Sequence, residues 1–246
     1  AGQSFAGDVA ACEPVDAHGW ICYPLNERLR RWKAPGIEAA SGFDRAVARG
    51  GWSVEDDYLA VIGVRSGAKS LPNVGSLAAY ERFGQRLITA DAVPLFPSCA
   101  SPWRHSSVSV NINGRGAGMA DGAEVLAQRE TSGGWMFCFL VEMPGAYSWM
   151  RTLYWKASAY VLVIDRVHVP AQEPFTLGVN WRCAGPLEGV EAGLATLALD
   201  PHAGVGEGRF FVQVSEELCL QSESSKYPVL GAPPGTPSTD EVMLHA

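Results

Sequence analysis

The residue types that could do chemistry gather in one short segment, Trp103-Arg104-His105. The imidazole of a histidine can accept and donate a proton near neutral pH. The indole of Trp103 could stack on the apolar C–H face of a sugar ring, and the guanidinium of Arg104 could pair with an anion. These three residue types could therefore combine proton transfer with binding. A lone histidine is more often structural, and that alternative stays open for His105.

The sequence lacks the motifs of several other kinds of active site. There is no G-x-S-x-G elbow, H-E-x-x-H motif, P-loop or G-x-G-x-x-G fingerprint. The remaining histidines, His18, His168, His202 and His245, have no companions at metal-ligand spacing, and we expect structural or solvent-exposed roles for them. We therefore expect no bound metal and no cofactor.

The six cysteines do not form a C-x-x-C pair, which makes a zinc site of the finger type unexpected. Their even number permits disulfide bonds without showing any. Cys12 and Cys22 flank a short segment and could close a loop. Cys138 lies in an apolar stretch and could be a buried free thiol.

Composition and charge exclude several classes of protein. Apolar residues make up 47% of the 246-residue chain and charged residues 18%, which is typical of a globular protein with a substantial core. The net charge is −7, and no block of Lys and Arg is long enough to suggest nucleic-acid binding. The longest strongly apolar run is 135–141, far short of a membrane span. The negative charge also disfavours a polyanionic ligand unless a local cleft is basic.

The middle of the chain has the pattern of short β-strands. Residues 107–112 alternate, placing Val108, Val110 and Ile112 on one face, and Asn113-Gly114 directly afterwards is typical of a hairpin turn. Similar segments are 58–64, 124–129, 135–142, 147–156, 160–168, 175–182, 194–199 and 209–214. Because no long amphipathic helix separates these segments, they predict an all-β fold, an antiparallel β-sandwich with a short irregular or helical N-terminal segment.

The two ends of the chain differ from the middle. Residues 1–42 look irregular, with one short helix from Asn26, which could cap it, to Lys33, before Pro35-Gly36. Residues 221–246 are rich in Pro, Ser, Thr and Gly, which is typical of a poorly ordered tail. We therefore divide the chain into an irregular segment (1–42), a β-sandwich domain (43–220) and a Pro-rich tail (221–246).

A series of short motifs occurs in a fixed order between residues 43 and 215. The series consists of Arg49-Gly-Gly-Trp52, Asp56-Asp-Tyr-Leu-Ala60, Asn73-Val-Gly-Ser-Leu77, Trp103-Arg-His-Ser-Ser-Val-Ser-Val110, Arg151-Thr-Leu-Tyr-Trp-Lys156 and Tyr160-Val-Leu-Val-Ile-Asp-Arg-Val167. Each motif alone is weak, but the order and spacing together resemble the C-terminal β-domain of the heparinase II/III-like polysaccharide lyases, a family that includes alginate lyases.

This resemblance implies a chemistry. Members of the family pair an N-terminal α/α toroid with a C-terminal β-sandwich, and they cleave uronic-acid polysaccharides by β-elimination. The sugar carboxylate must be neutralised so that the C5 proton becomes acidic; a base removes this proton and an acid protonates the leaving oxygen. Most of the catalytic residues lie on the toroid, and the β-domain contributes a histidine that faces the cleft.

The resemblance carries over to only some positions. His105 matches the histidine of the family's strand and becomes the candidate catalytic residue, while Arg151, Tyr160 and Asp165 match positions that we expect to maintain the fold. Lys69, Leu71 and Asn73 stand where the family's loop has two histidines and an aspartate. This chain therefore lacks the two histidines that could bind a metal in that loop of the family. Lys69 could instead pair with a uronate carboxylate, although an exposed loop lysine is the simpler interpretation. We therefore expect substrate binding by Lys69, Asn73, Trp103 and Arg104.

Two kinds of function remain open. The first is the β-domain of a lyase that acts on an acidic polysaccharide and needs an N-terminal α/α toroid, supplied as a domain or as a separate chain. The second is a carbohydrate-binding or structural β-domain without catalysis, favoured by the absent toroid and loop histidines. The resemblance places either protein in the secreted or periplasmic class, with no nucleic-acid or membrane partner.

Overall fold

A computed structural model describes residues 19–53, 55–65, 74–89, 105–118, 120–170 and 173–184, together with the backbone of five strands between residues 187 and 245. The side chain of Lys33 and those beyond residue 184 are not described. These parts of the chain form one helix and seventeen strands. The model confirms the predicted all-β fold class.

The strands run in chain order from β1 to β17, and one helix, α1, lies between β1 and β2. Their bounds are β1 Gly19–Pro24, α1 Glu27–Lys33, β2 Phe43–Arg49, β3 Tyr58–Ile62, β4 Leu77–Arg82, β5 Gln85–Thr89, β6 Val108–Ile112, β7 Arg115–Gly116, β8 Ala123–Thr131, β9 Gly134–Met143, β10 Tyr147–Lys156, β11 Tyr160–His168, β12 Phe175–Ala184, β13 Leu187–Glu191, β14 Leu194–Leu197, β15 Gly208–Phe211, β16 Gln221–Tyr227 and β17 Thr239–His245.

Two large antiparallel sheets carry the fold. The first has the strand order β1-β2-β3-β4-β5-β12-β17-β16, with β6 paired to β12 and β7 paired to β6. The second has the order β11-β10-β9-β8, and β13, β14 and β15 form a small third sheet. Strand β12 is long enough to pair with β6 along its first half and with β17 along its second half. It therefore connects the two parts of the first sheet.

The core lies between the first two sheets because each sheet turns alternate side chains inward. On β10 the inward row includes the buried residues Trp149 and Leu153. The ring of Phe43 on β2 meets Phe137 and Phe139 on β9, with centroid distances of 5.2 and 5.6 Å. A buried aromatic side chain of this kind stabilises the fold by about 1.5–3 kcal/mol through its burial alone.

Four tryptophans lie in segments with a strand pattern, which predicts that they belong to the core: Trp135, Trp149, Trp155 and Trp181. Trp149, Trp155 and Trp181 are buried, and Trp135 is partly buried and packs against the same cluster. The core prediction is therefore confirmed for three of them and holds in part for Trp135.

The connections between strands separate into two ends of the sandwich. We call the end with the β2–β3, β4–β5 and β10–β11 connections the turn end. There the amide of Phe83 donates to the carbonyl of Glu55 (3.0 Å), and the amide of Ser158 donates to Oδ2 of Asp57 (2.6 Å). At the opposite end, Leu77 pairs with Ser106 in an isolated bridge. We call this the His105 end, because Ser106 follows His105.

Helix α1 begins as its sequence predicts. The side chain of Asn26 accepts a hydrogen bond from the amide of Leu29 at 2.9 Å, which satisfies one of the free amides of the first turn. Glu27 lies in that turn and pairs with Arg30 at 3.1 Å. The helix is too short to be stable alone, so its position depends on Leu29, which packs with Leu25 and Ala34.

Both chain ends contain more strand than the sequence indicated. Within 1–42, expected to be irregular apart from the helix, β1 pairs with β2 in antiparallel register. Within 221–246, expected to be a tail, β16 pairs with β17, and β17 pairs with β12. The ladder to a neighbouring strand supplies order that local sequence preferences do not reveal. The division into domains itself remains a prediction.

Three of the cysteines are described, and all three are free thiols: Cys22, Cys138 and Cys183. The loop closure considered for Cys22 is therefore not formed. Burial raises the pKa of the Cys22 thiol to about 11 and that of Cys183 further. Cys138 is half-buried and accepts a hydrogen bond from the hydroxyl of Thr152.

Within the described residues, no helix has the length and apolar character needed to cross a bilayer.

Candidate functional site

Only one of the predicted site residues belongs to the described part of the chain. That residue is His105, which is buried with 3% of its surface exposed. Lys69, Asn73, Trp103 and Arg104 all lie outside the described residues. Val74 is the first described residue after Asn73, and His105 is the first described residue after Arg104.

The three residues after Arg104 form a buried connection between several strands. The carbonyl of Ser106 accepts from the amide of Leu77 at 3.1 Å, which attaches the segment to β4. The hydroxyl of Ser106 accepts from the amide of Arg182 at 2.9 Å, and the carbonyl of Ser107 accepts from the amide of Asn180 at 2.9 Å. His105 is therefore held at its backbone between β4 and β12, because its neighbours are fixed to both.

A buried arginine of the second sheet reaches across the core to the same place. Nη1 of Arg151 donates to the carbonyl of Ser106 at 2.9 Å and to the carbonyl of Gly75 at 3.1 Å. This nitrogen atom therefore links the backbone at Gly75, two residues after Asn73, to the backbone at Ser106, directly after His105. The described structure therefore brings together two stretches that the sequence analysis connected only through the family pattern.

The charge of Arg151 is neutralised locally. Its Nε and Nη2 donate to the two carboxylate oxygens of Asp165 at 2.8 and 2.9 Å, and the indole of Trp149 donates to the same carboxylate at 2.7 Å. The guanidinium also lies over the rings of Trp149 (4.6 Å) and Trp181 (5.3 Å). Since a bidentate pair of this kind orients both side chains, Arg151 and Asp165 serve as structural residues of the seam between the sheets.

The glycine beside this arginine cannot carry a side chain. Gly75 has a φ of +73°, and a Cβ on it would lie 2.8 Å from the ring of Trp149 and 3.0 Å from Phe139. The absence of a side chain lets the backbone approach the two rings closely enough for its carbonyl to reach Arg151. Gly75 therefore fixes the path of the chain directly after Asn73.

Asn180 and Ser109 add further polar contacts to this cluster, and neither was predicted as a site residue. The side-chain amide of Asn180 donates to the carbonyl of Ser107 at 3.2 Å and to the hydroxyl of Ser109 at 3.1 Å. The available signal was the pair Asn180 and Arg182, two polar residues at alternate positions of an otherwise apolar strand. Such positions lie on one face and indicate a buried polar contact when the strand is covered.

The geometry limits what His105 can do. Its low exposure means that the imidazole does not project freely into solvent. Among the described residues, no group of three or more His, Cys, Asp or Glu side chains is placed to hold a metal ion. The described residues at the His105 end therefore form a buried cluster of polar contacts. The segments that contain Lys69, Asn73, Trp103 and Arg104 precede residues of this cluster in the sequence.

No protein-family model matches the chain, and no curated protein matches it. Solved structures do. The chain is similar to a mutant of the heparan sulfate lyase HepC from Pedobacter heparinus, with a TM-score of 0.66, 14% identity and coverage of 87% of this chain and 34% of that one.

Two heparinase III structures show the same similarity. One has a TM-score of 0.65 and 11% identity, covering 86% of this chain and 32% of that one. The other has a TM-score of 0.62 and 9% identity, covering 83% of this chain and 35% of that one. At these identities the similarity shows a shared fold. The chain spans about a third of the length of these solved structures.

Proposed function

We propose that this chain is the β-domain portion of a polysaccharide lyase-like protein that acts on a uronic-acid glycan by β-elimination. The observation that carries the proposal is the fold similarity to heparan sulfate lyase and heparinase III structures over most of this chain. The order of the sequence motifs between residues 43 and 215 supports the proposal independently, because it depends on the sequence alone.

The described residues that follow the two candidate segments in the chain support a single binding site. Arg151 joins the backbone at Gly75 and Ser106, so the segments before these residues end side by side. We assign neutralisation of the sugar carboxylate to Lys69 and Arg104, since each carries a cation. We assign stacking on the sugar ring to Trp103 and hydrogen bonding to Asn73.

His105 is the proposed catalytic residue, with its imidazole exchanging a proton with the substrate. His105 is buried, so this role requires that the substrate can reach its imidazole. The remaining proton-transfer groups would come from a helical domain or chain, because this chain spans only about a third of the lyase structures it resembles. An acidic extracellular glycan as substrate places the protein in the secreted or periplasmic class.

A lyase assay tests this proposal. β-Elimination leaves an unsaturated uronate whose ultraviolet absorbance can be followed with alginate, heparan sulfate, chondroitin and polyglucuronate as substrates. In an assay that also contains the helical domain or chain, we expect a rise in absorbance with one of these polymers, lost in His105→Ala and retained in His168→Ala, a matched control because His168 is exposed on β11. Thermal unfolding of each variant separates loss of catalysis from loss of the fold.

The alternative is a β-domain that binds an acidic glycan without cleaving it, and the burial of His105 favours it. An absence of product with every polymer, while the folded chain still binds one of them, would replace the lyase proposal with this one. Copurification of a helical polypeptide with the chain would instead favour a lyase assembled from two parts.

A further inference from the structure

A partly buried arginine and an exposed tryptophan lie together at the turn end, in a cluster that the proposed site does not use. The guanidinium of Arg49 lies 5.1 Å from the ring centre of Trp52 and 4.7 Å from that of Tyr58. Trp52 is 69% exposed, which is unusual for so large an apolar side chain. Within the described part of the chain, the guanidinium of Arg49 makes no hydrogen bond or ion pair.

Other arginines in the same sheet are paired with carboxylates. Arg45 pairs with Asp44 at 3.0 Å and Arg86 pairs with Glu81 at 2.8 Å. Arg49 has two ring contacts in place of a carboxylate, so its five N–H donors are held in one orientation and remain available to an anion.

The backbone under Trp52 is fixed by several hydrogen bonds. The amide of Gly50 donates to the carbonyl of Asp57 at 2.8 Å, and the amide of Ser53 donates to Oδ2 of Asp56 at 2.7 Å. A Cβ on Gly51 would lie 2.2 Å from that same oxygen, so a side chain there would displace the Asp56 carboxylate. An exposed indole on a rigid turn can bind a ligand with a small loss of conformational entropy.

We propose that Arg49 and Trp52 form a second glycan-binding site, which takes the pyranose ring of an acidic sugar. The glycan places the apolar C–H face of a sugar on the exposed Trp52 indole, and a carboxylate of the glycan accepts hydrogen bonds from Arg49. The inference rests on the proposed function for the identity of the ligand. It adds a site that is separate from the one at the His105 end.

The separation follows from the length of the strands. Strand β4 has six residues and runs from the bridge with Ser106 to the turn that contacts Glu55. Its length is about 17 Å, at the usual rise per residue of a β-strand. The two sites therefore lie at opposite ends of the same sheet, and a ligand at Arg49 does not contact His105.

The acidic side chains of the turn set the strength of this site. Glu55 and Asp56 carry negative charge close to Arg49, which weakens attraction of a general anion. Stacking on Trp52 must then supply a large part of the affinity, and we expect a dissociation constant of about 1 mM for an oligosaccharide. A basic patch without the indole would instead bind any polyanion, with affinity set by salt.

The indole N–H signals of the chain in a nitrogen–proton correlation spectrum provide the test. Trp52→Ala identifies the signal of Trp52, and Trp32→Ala identifies that of an equally exposed tryptophan (69%) on α1. On titration with an oligoglucuronate hexasaccharide, we expect a saturable shift of the Trp52 signal and no shift of the Trp32 signal. We expect Arg49→Gln to weaken this binding at least about threefold, the loss of one exposed charged hydrogen bond.

The carboxyl-reduced, neutral form of the same hexasaccharide completes the experiment. We expect it to bind more weakly than the acid and to be insensitive to Arg49→Gln. Equal affinity for both sugars would overturn the assignment of Arg49 to the carboxylate. An unmoved Trp52 signal at about 10 mM sugar would overturn the whole site, whether or not the lyase assay succeeds. A shifted Trp52 signal without lyase activity would keep this site and reject only the catalytic proposal.

Discussion

Two arginines in this molecule each lie over two aromatic rings, but they differ in burial and in the partners of their N–H groups. Arg151 lies over Trp149 and Trp181, and Arg49 lies between Trp52 and Tyr58, with ring distances between 4.6 and 5.3 Å in all four contacts. Arg151 is fully buried and gives its donors to Asp165 and two carbonyl groups. Arg49 lies at the surface, and the described residues give it no anionic partner.

The comparison shows that ring contacts orient a guanidinium in either setting, while the partners of its N–H groups decide the role. The donors of Arg151 are consumed inside the protein, so its charge maintains the seam between the sheets. The donors of Arg49 are left available for an anionic ligand, so its charge can act in binding. Substitutions should therefore affect stability at Arg151 and ligand binding at Arg49.

Removal of the buried guanidinium should give the largest effect. Arg151→Ala leaves the Asp165 carboxylate buried without its cation and the carbonyls of Gly75 and Ser106 without their donor, so we expect a loss of about 3–5 kcal/mol in the free energy of unfolding. Urea unfolding measures it. Arg86→Ala is the control, because its pair with Glu81 is exposed and should cost less than about 1 kcal/mol. Similar losses in both variants would contradict the structural role of Arg151.

A side chain on Gly75 should disturb the same seam. Gly114 has the same φ of +73° but nothing within 4 Å of an added Cβ, whereas the Cβ of Gly75→Ala meets Trp149 at 2.8 Å. The backbone strain is therefore common to both variants, and the difference between them measures the clash. We expect Gly75→Ala to lose about 1–3 kcal/mol more than Gly114→Ala in urea unfolding. An equal loss would mean that the rings move aside without cost.

Removal of the surface guanidinium should barely change stability. Arg49→Ala loses contacts with two exposed or half-exposed rings, which we expect to lower the free energy of unfolding by about 0.5–1 kcal/mol. The same unfolding experiment measures this value beside that of Arg151→Ala. A loss as large as that of Arg151→Ala would make Arg49 a structural residue and remove the contrast between the two sites.

The turn that carries Trp52 also contains a buried carboxyl group with a pH-dependent effect. Burial raises the pKa of Asp57 above its ordinary 3.8, and the nearby charge of Asp56 acts in the same direction. The amide of Ser158 and the charge of Arg82 oppose this shift. The folded protein therefore binds the proton more tightly than the unfolded chain does.

Protonation of Asp57 therefore stabilises the fold fully below the unfolded pKa, and this contribution is lost as the pH rises through the folded pKa. We expect the stability of the unsubstituted chain, relative to Asp57→Asn, to decline as the pH rises above the ordinary pKa of 3.8. Unfolding free energies measured at a series of pH values provide the check. A difference that grows with pH would show that the ion pair with Arg82 outweighs burial.

The sequence predicted the strongest strands with correct bounds. Strands β10 and β11 occupy 147–156 and 160–168 as expected, because their alternation is long and a short turn separates them. The cap of α1 was also correct, since Asn26 forms its bond within one helical turn. Local patterns of this kind need no knowledge of distant residues.

What the sequence could not supply depends on partners far away in the chain. Strand β16 has three serines among its seven residues and little β-forming preference of its own, and its pairing with β17 provides its order. The connection of Gly75 to Ser106 through Arg151 spans the core and depends on the register of two sheets. Similarly, Arg49 and Tyr58 become neighbours only through the pairing of β2 with β3.

Binding of acidic polymers tests the central claim most directly, because a lyase and a glycan-binding domain both require it, whereas a structural β-domain does not. The folded chain would be titrated with heparan sulfate, alginate, chondroitin and polyglucuronate, and with a neutral glucan as control. We expect saturable binding to at least one acidic polymer, weakened by salt and by the double substitution of Lys69 and Arg104 with Gln, and weaker binding to the glucan. Absence of binding to every acidic polymer at low salt would contradict it.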